Sequence, residues 1–130
     1  MYSTHYKGIL GELAFTYHLI EKGFTVLNPI NHNSSYDLVI EKNGKFIRIQ
    51  VKYRVPVKGV LRVELYRPKK PNFQYFNREV DAMGLYNPLS NKFYLIPLHI
   101  IKTTREFWIR VDKPKGKKTK SMHFAEEFEI

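Results

Sequence analysis

The sequence predicts an α/β domain in which one N-terminal helix packs on a mixed β-sheet that also carries short additional helices. Helical periodicity near the N-terminus is followed by segments that alternate between apolar and polar residues, as strands do. Short helical segments come after these strands. A helix followed mostly by strands, and then by short helices, is typical of a mixed-sheet domain rather than of a β-sandwich.

The first predicted element is a helix over residues 4–22. Ser3 or Thr4 can cap its N-terminus, and Gly23 ends it where glycine relieves left-handed strain. Six apolar residues recur at helical spacing and are expected to form one buried stripe: Tyr6, Ile9, Leu10, Leu13, Tyr17 and Ile20. We therefore expect the helix to pack on the sheet through this stripe.

Strand patterns follow the helix. Residues 24–28 predict a short strand that Pro29 stops. Residues 36–41 and 46–53 predict a β-hairpin around an Asn-Gly turn at 42–45. The later predicted elements are a strand at 60–66, a basic and aromatic loop at 67–78 with room for a turn of helix, a strand pair within 80–97, a short helical segment after Pro97, a strand at 107–111 and a terminal helix or strand at 122–130.

Composition bounds the class of protein. The chain has 130 residues, which predicts one domain over 1–130, with a basic linker at 112–121 near the C-terminus. It has no cysteine, which excludes disulfides, thiolate zinc sites and cysteine nucleophiles. The N-terminus lacks the apolar core of a signal peptide, and the longest apolar run, 93–101, is too short to span a bilayer. We expect an intracellular protein of the cytoplasm or nucleoid that is not secreted.

Net charge indicates the partner. Twenty-two Lys and Arg residues against twelve Asp and Glu residues give a net charge of +10. This excess carries a self-repulsion cost that a polyanion would offset, and nucleic acid is the common polyanionic partner. No helix places aromatic or Leu residues opposite a basic face, so we expect no membrane partner.

Polar side chains are predicted to converge at the end of the hairpin. Gln50 and Lys52 share one face of their strand, about 7 Å apart, because side chains alternate between faces. Asp37 lies on the partner strand, level with residues 50–52. On the helix, Glu12 lies about 60° from Ile9, at the edge of the expected stripe. A solvated hairpin face is the alternative interpretation of Gln50 and Lys52.

Two glycines, Gly8 and Gly11, lie near Glu12 inside the predicted helix, where glycine is unfavourable. Gly8, one turn earlier, leaves room for a metal ion, a water or a phosphate. Gly11 costs about 1 kcal/mol of helix propensity relative to alanine. Two such residues inside one helix indicate that space or close approach is required on that side.

These residue types suit metal-dependent phosphodiester hydrolysis. Mg²⁺ prefers hard oxygen ligands, and we expect Mn²⁺ to substitute for it. The candidate ligands are Asp37, Gln50, the main-chain carbonyl of Val51, and Glu12, directly or through water. Lys52 would position the nucleophile or neutralise the transition state, while the metal stabilises charge on the phosphate. No small-molecule cofactor is expected.

The sequence resembles the PD-(D/E)XK nuclease superfamily in three segments, GILGELAFTYHLIEKGFTVL, SSYDLVIE and IRIQVKYR, within roughly the first 54 residues. A fourth segment, VDAMGLYNPLSNKFYLIPLHII, is similar to the branch of group I intron homing endonucleases, where Gln also stands at the second motif position. The resemblance implies a restriction-endonuclease-like core. It also implies that Asp37 and Gln50 bind metal, that Lys52 is the catalytic lysine and that Glu12 is the helix acid. Tyr36 replaces the proline of the motif, and Gln50 replaces its usual acidic residue.

Basic residues are expected to contact DNA. A two-stranded ribbon fits the major groove, where Arg62 could read guanine. Ser34 and Ser35 can hydrogen-bond a phosphate, although a role in a turn is the alternative for both. The remaining expected contacts are Lys58, Arg67, Lys69, Lys70, Arg78, Lys117 and Lys118. For the last two lysines, a solvated charge run is the alternative.

Together these features predict a Mg²⁺-dependent, site-specific DNA endonuclease that resembles homing enzymes and acts on double-stranded DNA. Cutting both strands requires two active sites, so we expect a homodimer or a tetramer. Two alternatives stay open. One is a Holliday-junction resolvase, which reads junction shape. The other is a non-catalytic, basic nucleic-acid-binding module in which the hairpin is only a scaffold.

Overall fold

A computed structural model describes residues 2–31, 33–67, 70–74, 79–101, 105–112, 116 and 122–130. The long helix, α1, is Thr4–Glu21. The strands are β1 (Thr25–Leu27), β2 (Leu38–Lys42), β3 (Lys45–Tyr53), β4 (Val60–Glu64), β5 (Tyr66–Arg67), β6 (Lys70–Gln74), β7 (Ala82–Asn87), β8 (Lys92–Pro97) and β9 (Glu106–Arg110). Short 3₁₀ helices lie at Leu98–Ile100, between β8 and β9, and at Ala125–Glu127, after β9. Within these ranges, no helix has both the length and the apolar composition that crossing a bilayer requires.

The main sheet is mixed and has five strands in the order β1-β2-β3-β7-β8. Its first three strands are antiparallel, β3 and β7 are parallel, and β8 returns antiparallel to β7. Strands β4 and β9 form a separate antiparallel ribbon, as do β5 and β6. This arrangement confirms the predicted fold class of one N-terminal helix packed on a mixed sheet.

Turn and cap chemistry explain why the predicted boundaries are close to the observed ones. Ser3 caps α1 by accepting a hydrogen bond from the Tyr6 N–H at 3.2 Å, and Gly23 adopts φ 94° after the helix. Between β2 and β3, Asn43 and Gly44 have φ of 55° and 76°. Positive φ at both positions is what a tight hairpin turn with the twist of its strands requires.

The predicted basic loop at 67–78 is wrong in part. Strand β6 lies within it and pairs with β5, where the register shifts between Tyr66 and Arg67. Leu65 separates β5 from β4, so the predicted single strand at 60–66 is divided. Prolines in the sequence argue against a strand, so β6 was not predicted. In a two-stranded ribbon each strand is an edge strand, where a proline such as Pro71 is tolerated. Residues 113–115 and 117–121 of the predicted linker lie outside the described residues.

The predicted buried stripe of α1 is also wrong. Tyr6, Ile9, Leu13, Tyr17 and Ile20 are between 43% and 69% exposed, and Leu10 is half-buried. The helix instead buries Gly11, Phe15 and Leu19 against the sheet.

Close approach of the backbone explains this choice of face. A Cβ atom at Gly11 would lie 3.4 Å from the Cβ of Tyr53, which is ordinary van der Waals contact, so the helix lies against β3 at this position without requiring glycine. At Gly84 in β7, a Cβ atom would lie 2.9 Å from Cζ of Phe15. The Phe15 ring therefore occupies the space that Gly84 leaves, and α1 packs on the sheet by the face that carries Phe15.

The main sheet buries side chains on both faces. Alternate residues of β7 enter different clusters, with Ala82 in the cluster under α1 and Met83 and Leu85 in the cluster under the β4–β9 ribbon. Ile49 and Val51 of β3 join Phe15 and Leu19 in the first of these clusters. The core face predicted for β3 is therefore confirmed, and the opposite face of the strand is left to Gln50 and Lys52.

Candidate active site

An open cavity of about 530 Å³ lies between the N-terminal half of α1 and the end of β3. All five residues that the sequence predicts as ligands or catalytic groups line it: Glu12, Asp37, Gln50, Val51 and Lys52. The other lining residues are Thr4, Lys7, Gly8, Tyr53, Arg54 and Val55. The structure thus brings together the predicted group from three separate segments of the chain.

Main-chain hydrogen bonds hold Asp37 in place directly before β2. Its N–H donates to the Ile49 carbonyl at 2.9 Å, and its Oδ2 accepts from the Val51 N–H at 2.8 Å. The register of the hairpin, in which Leu38 is opposite Ile49, sets this position. The prediction that Asp37 lies level with residues 50–52 is confirmed.

Glu12 meets Asp37 from the helix. Burial of Glu12, followed by the charge of Asp37 and a hydrogen bond between the two carboxyl groups, raises the pKa of Glu12 to about 7. Two carboxylates brought together out of water cannot both ionise easily, so a proton is retained between them. Glu12 follows Gly8 and Thr4 at four-residue intervals, which puts all three on one row of the helix facing the cavity.

The raised pKa of Glu12 predicts a stability that falls with pH. Because the pKa is about 7 in the folded chain and 4.5 ordinarily, the folded state holds an extra proton between these values. Its stabilising effect is complete below the lower pKa and is lost as pH rises through the upper one. In EDTA, Glu12→Gln is therefore expected to raise the melting temperature, relative to wild type, more at pH 8 than at pH 5.

Thermal melts of wild type and Glu12→Gln at the two pH values measure this difference. Glu21→Gln removes a carboxylate from the exposed end of the same helix and is the matched control. An equal shift for Glu12→Gln at both pH values would contradict the carboxyl pair.

The donor set fits a hard divalent cation. The Glu12 and Asp37 carboxyls, the Gln50 amide oxygen and the Val51 carbonyl are oxygens of the kind that Mg²⁺ and Mn²⁺ accept. A carboxyl pair that retains a proton is one that a cation in that position would relieve. Among the described residues, no three His, Cys, Asp or Glu side chains cluster at a metal site. Two carboxylates completed by an amide and a carbonyl agree with that observation.

Arg54 was missed by the sequence analysis, and it buttresses the end of β3. Its guanidinium donates to Glu64 Oε2 and to the carbonyl oxygens of Tyr53 and Arg62. Burial raises the pKa of Glu64, but the hydrogen bond and charge of Arg54 outweigh it, so the pKa lies below its ordinary value. Arg54 therefore joins the cavity to β4. No local pattern in the sequence signals this role, since the partners belong to another strand.

Thr4 and Lys7 were also missed as cavity residues. The four-residue spacing of Thr4, Gly8 and Glu12 is a signal that could have found the first of them. Lys7 adds a cation at the mouth of a cavity whose acidic groups come from Glu12 and Asp37.

The described residues predicted to bind DNA lie outside the lining of the cavity. The Ser35 hydroxyl donates to Glu79, and the Ser34 hydroxyl accepts from the Tyr36 N–H at 3.3 Å. Lys58 lies in the turn before β4 with φ 51°. Arg67 is in β5 and Lys70 in β6, whereas Lys69, Arg78, Lys117 and Lys118 lie outside the described residues.

Arg62 lies on the outer face of the β4–β9 ribbon, directly opposite Trp108. Its guanidinium is 5.0 Å from the centre of the Trp108 ring, which is half exposed. The sequence analysis predicted that Arg62 contacts DNA but missed Trp108. Cross-strand pairing, which the sequence does not specify, brings the two together.

The chain is similar in sequence to a known protein family and to a phage protein. The family model of the PD-(D/E)XK endonuclease matches residues 2–130. Protein 5.3 of Escherichia phage T7 is 38% identical over 52 residues, which are 40% of this chain and 44% of that protein. The chain therefore matches less than half the length of this relative.

Two solved structures share the fold. The bacterial homing endonuclease I-Ssp6803I has a TM-score of 0.75 at 23% identity, over 99% of this chain and 88% of that chain. The Holliday junction resolvase Hjc of Archaeoglobus fulgidus has a TM-score of 0.54 at 18% identity, over 80% of this chain and 84% of that chain. Similarity at these identities concerns the fold alone. Because the family match extends over nearly the whole chain, the resemblance to the superfamily seen in the sequence is confirmed, and the chain belongs to the PD-(D/E)XK endonuclease family.

Proposed function

We propose that the chain is a Mg²⁺-dependent, site-specific DNA endonuclease that hydrolyses phosphodiester bonds in the manner of homing enzymes. The observation that carries this proposal is the convergence of two carboxyl groups, an amide and a lysine in one cavity. The fold that the chain shares with a bacterial homing endonuclease supports it. The net charge of +10 supports DNA as the substrate.

Each cavity residue has a separate task in this proposal. The side chains of Asp37, Gln50 and Glu12 and the Val51 carbonyl would hold the cation, which would supply Lewis-acid stabilisation of the charge that develops on the phosphate. The Val51 N–H fixes one carboxylate oxygen of Asp37 and so pre-orients it. Lys52 carries three N–H donors and no acceptor, and it orients the attacking water or neutralises the charge that develops on the phosphate.

The β4–β9 ribbon is the proposed DNA-reading element. Two antiparallel strands fit the width of the major groove, and the outer face of this ribbon presents Arg62 beside Trp108. An arginine supported on an aromatic ring is held in an extended position and keeps N–H donors for a guanine edge. Cleavage of both strands of one duplex requires a second copy, and we propose a homodimer or a tetramer.

A Holliday-junction resolvase is the second candidate function. The fold shared with the archaeal resolvase favours it. The two candidates differ in what the enzyme reads, because a resolvase recognises the shape of a four-way junction and a homing enzyme recognises base sequence.

A substrate panel tests the proposal. Wild type is incubated in Mg²⁺, in Mn²⁺ and in EDTA with a plasmid library of random target sites, with four-way junctions of unrelated sequences and with single strands. We expect metal-dependent cuts at a discrete set of duplex sites, read out by sequencing of the ends.

Three results would contradict this expectation. Cutting of every junction with no duplex preference would favour the resolvase. Cutting in EDTA would show that cleavage does not require a divalent cation. DNA binding without any cleavage, equal in Mg²⁺ and EDTA, would favour the non-catalytic binding module.

A further inference from the structure

The outer face of α1 carries a continuous row of exposed apolar side chains, which we name the outer stripe. Its members are Tyr2, Tyr6, Ile9, Leu13, Tyr17 and Ile20, each between 43% and 69% exposed. At about 100° per residue, the five members within α1 lie within roughly 80° of arc, opposite the face that packs on the sheet, and Tyr2 precedes the helix. The rings of Tyr2 and Tyr6 stack with centroids 5.0 Å apart, which extends the stripe past the N-terminal end of α1.

The spacing of the stripe is symmetric about Leu13. Ile9 and Tyr17 lie four residues to either side, and Tyr6 and Ile20 lie seven residues to either side. Apolar residues seven apart along one helix face form the seam of a helix pair. A stripe that reads the same from both ends suits a two-fold axis, because each residue then meets its counterpart at the same level.

The exposed area is sufficient for self-association. Six side chains, each roughly half exposed and four of them aromatic or Leu, amount to on the order of 600 Å² of apolar surface. Counted on both copies, the buried area would be roughly 1,200 Å², which is the lower end of the range for stable protein interfaces. Flanking residues would add to it. Soluble monomers seldom expose an apolar patch of this size without a function for it.

We propose that the outer stripe is the surface through which two copies of the chain pair, with α1 packed antiparallel on α1 of the second copy about a two-fold axis at Leu13. In this arrangement Leu13 meets its own counterpart, Ile9 lies level with Tyr17 and Tyr6 lies level with Ile20. This proposal gives the homodimer of the proposed function a pairing surface. It rests on the proposed function only for the reason that two copies would pair, namely the cleavage of both DNA strands.

Charge complementarity favours the antiparallel direction. Lys7 lies near the start of α1, and Glu21 is its last residue. Antiparallel pairing places Lys7 of each copy near Glu21 of the other, whereas parallel pairing places like charges side by side. The helix dipoles also oppose each other in the antiparallel direction.

The position of Glu12 agrees with a paired enzyme. Glu12 precedes Leu13 and projects about 100° round the helix from it. A two-fold axis perpendicular to both helices leaves this direction unchanged, so both Glu12 side chains project to the same side of the helix pair. Two cavities that face one side are what cleavage of both strands of a single duplex requires.

A cysteine placed on the axis tests the pairing. The chain has no cysteine, so Leu13→Cys introduces a single thiol into the full-length protein. Oxidation with copper phenanthroline is expected to convert most of Leu13→Cys to a disulfide-linked dimer on a non-reducing gel, because a residue on a two-fold axis approaches its own copy. Leu89→Cys, in the exposed turn between β7 and β8, is the control and is expected to cross-link at least ten-fold more slowly.

Sedimentation of the reduced protein completes the test. Leu13→Glu is expected to weaken dimerisation at least 100-fold while keeping the wild-type circular dichroism, since Leu13 is 63% exposed in the fold. A wild type that is monomeric at 50 μM, or a Leu13→Glu variant as dimeric as wild type, would overturn the outer stripe as the pairing surface. A dimer lost in Leu13→Glu, in a protein that cuts no DNA, would retain the surface and reject the nuclease proposal alone.

Discussion

Replacing Lys52 with alanine is expected to lower the rate of Mg²⁺-dependent DNA cleavage by roughly 100- to 1,000-fold, the usual cost of removing one group that stabilises developing charge. Lys52 lines the cavity with Asp37 and Gln50 and comes directly after Val51 in β3. The affinity for DNA is expected to change little, because the chain carries 22 lysine and arginine residues. The loss is therefore expected in the single-turnover cleavage rate rather than in binding.

Lys45→Ala is the matched control for this variant. Lys45 is the first residue of the same strand, is exposed and lies outside the cavity, so its replacement removes the same charge from β3. Cleavage by Lys52→Ala at the rate of Lys45→Ala would show that Lys52 takes no part in the chemistry.

A companion variant, Asp37→Asn, separates metal binding from the role of the lysine. Asparagine still offers an oxygen to the Val51 N–H but removes the negative charge. We expect Mg²⁺ to raise the melting temperature of the wild type. Asp37→Asn is expected to abolish both cleavage and that rise. Lys52→Ala is expected to keep that rise. An unchanged rise in Asp37→Asn would place the cation elsewhere.

Phe15→Ala is expected to destabilise the fold by about 3–5 kcal/mol, the range for removing a buried aromatic side chain. The Phe15 side chain is fully buried, packs edge-on against Phe93 with centroids 5.4 Å apart, and fills the space above Gly84. Because the backbone at Gly84 is held in a strand, the cavity left by alanine cannot close fully. The measurement is urea unfolding monitored by circular dichroism.

Leu13→Ala, two residues away on the outer face, is the control. At submicromolar protein, where pairing between copies is weak, it is expected to change stability by no more than about 0.5 kcal/mol. A larger loss from Leu13→Ala than from Phe15→Ala would restore the stripe that periodicity alone predicts and contradict the observed helix face.

Much of the site could be predicted because it depends on a hairpin. The Asn43-Gly44 turn sets the register of β2 and β3, and the register in turn sets Asp37 level with Val51. Strand alternation then assigns Gln50 and Lys52 to one face. These are local relations, so a sequence pattern is enough to specify them.

Glu12 lines the cavity with the other predicted residues, although the helix face used to predict its position was the wrong one. It was placed at the edge of a buried stripe that turned out to be the exposed one. It lies at the edge of the true buried face as well, because its position between Ile9 and Phe15 borders both. The pKa of about 7, which burial of Glu12 raises most and the charge and hydrogen bond of Asp37 raise further, required the tertiary contact between α1 and the hairpin.

By itself, the sequence determined the order of the helix and the strands of the main sheet, the hairpin register and the residue types of the candidate site, since caps, turns and strand alternation act over a few residues. Only the tertiary structure decided which face of α1 is buried. Both faces of that helix carry apolar residues at helical spacing, and the choice depends on Gly84 leaving space for Phe15. Those contacts join segments far apart in the chain, and they leave the outer stripe exposed because a helix can bury only one face against one sheet.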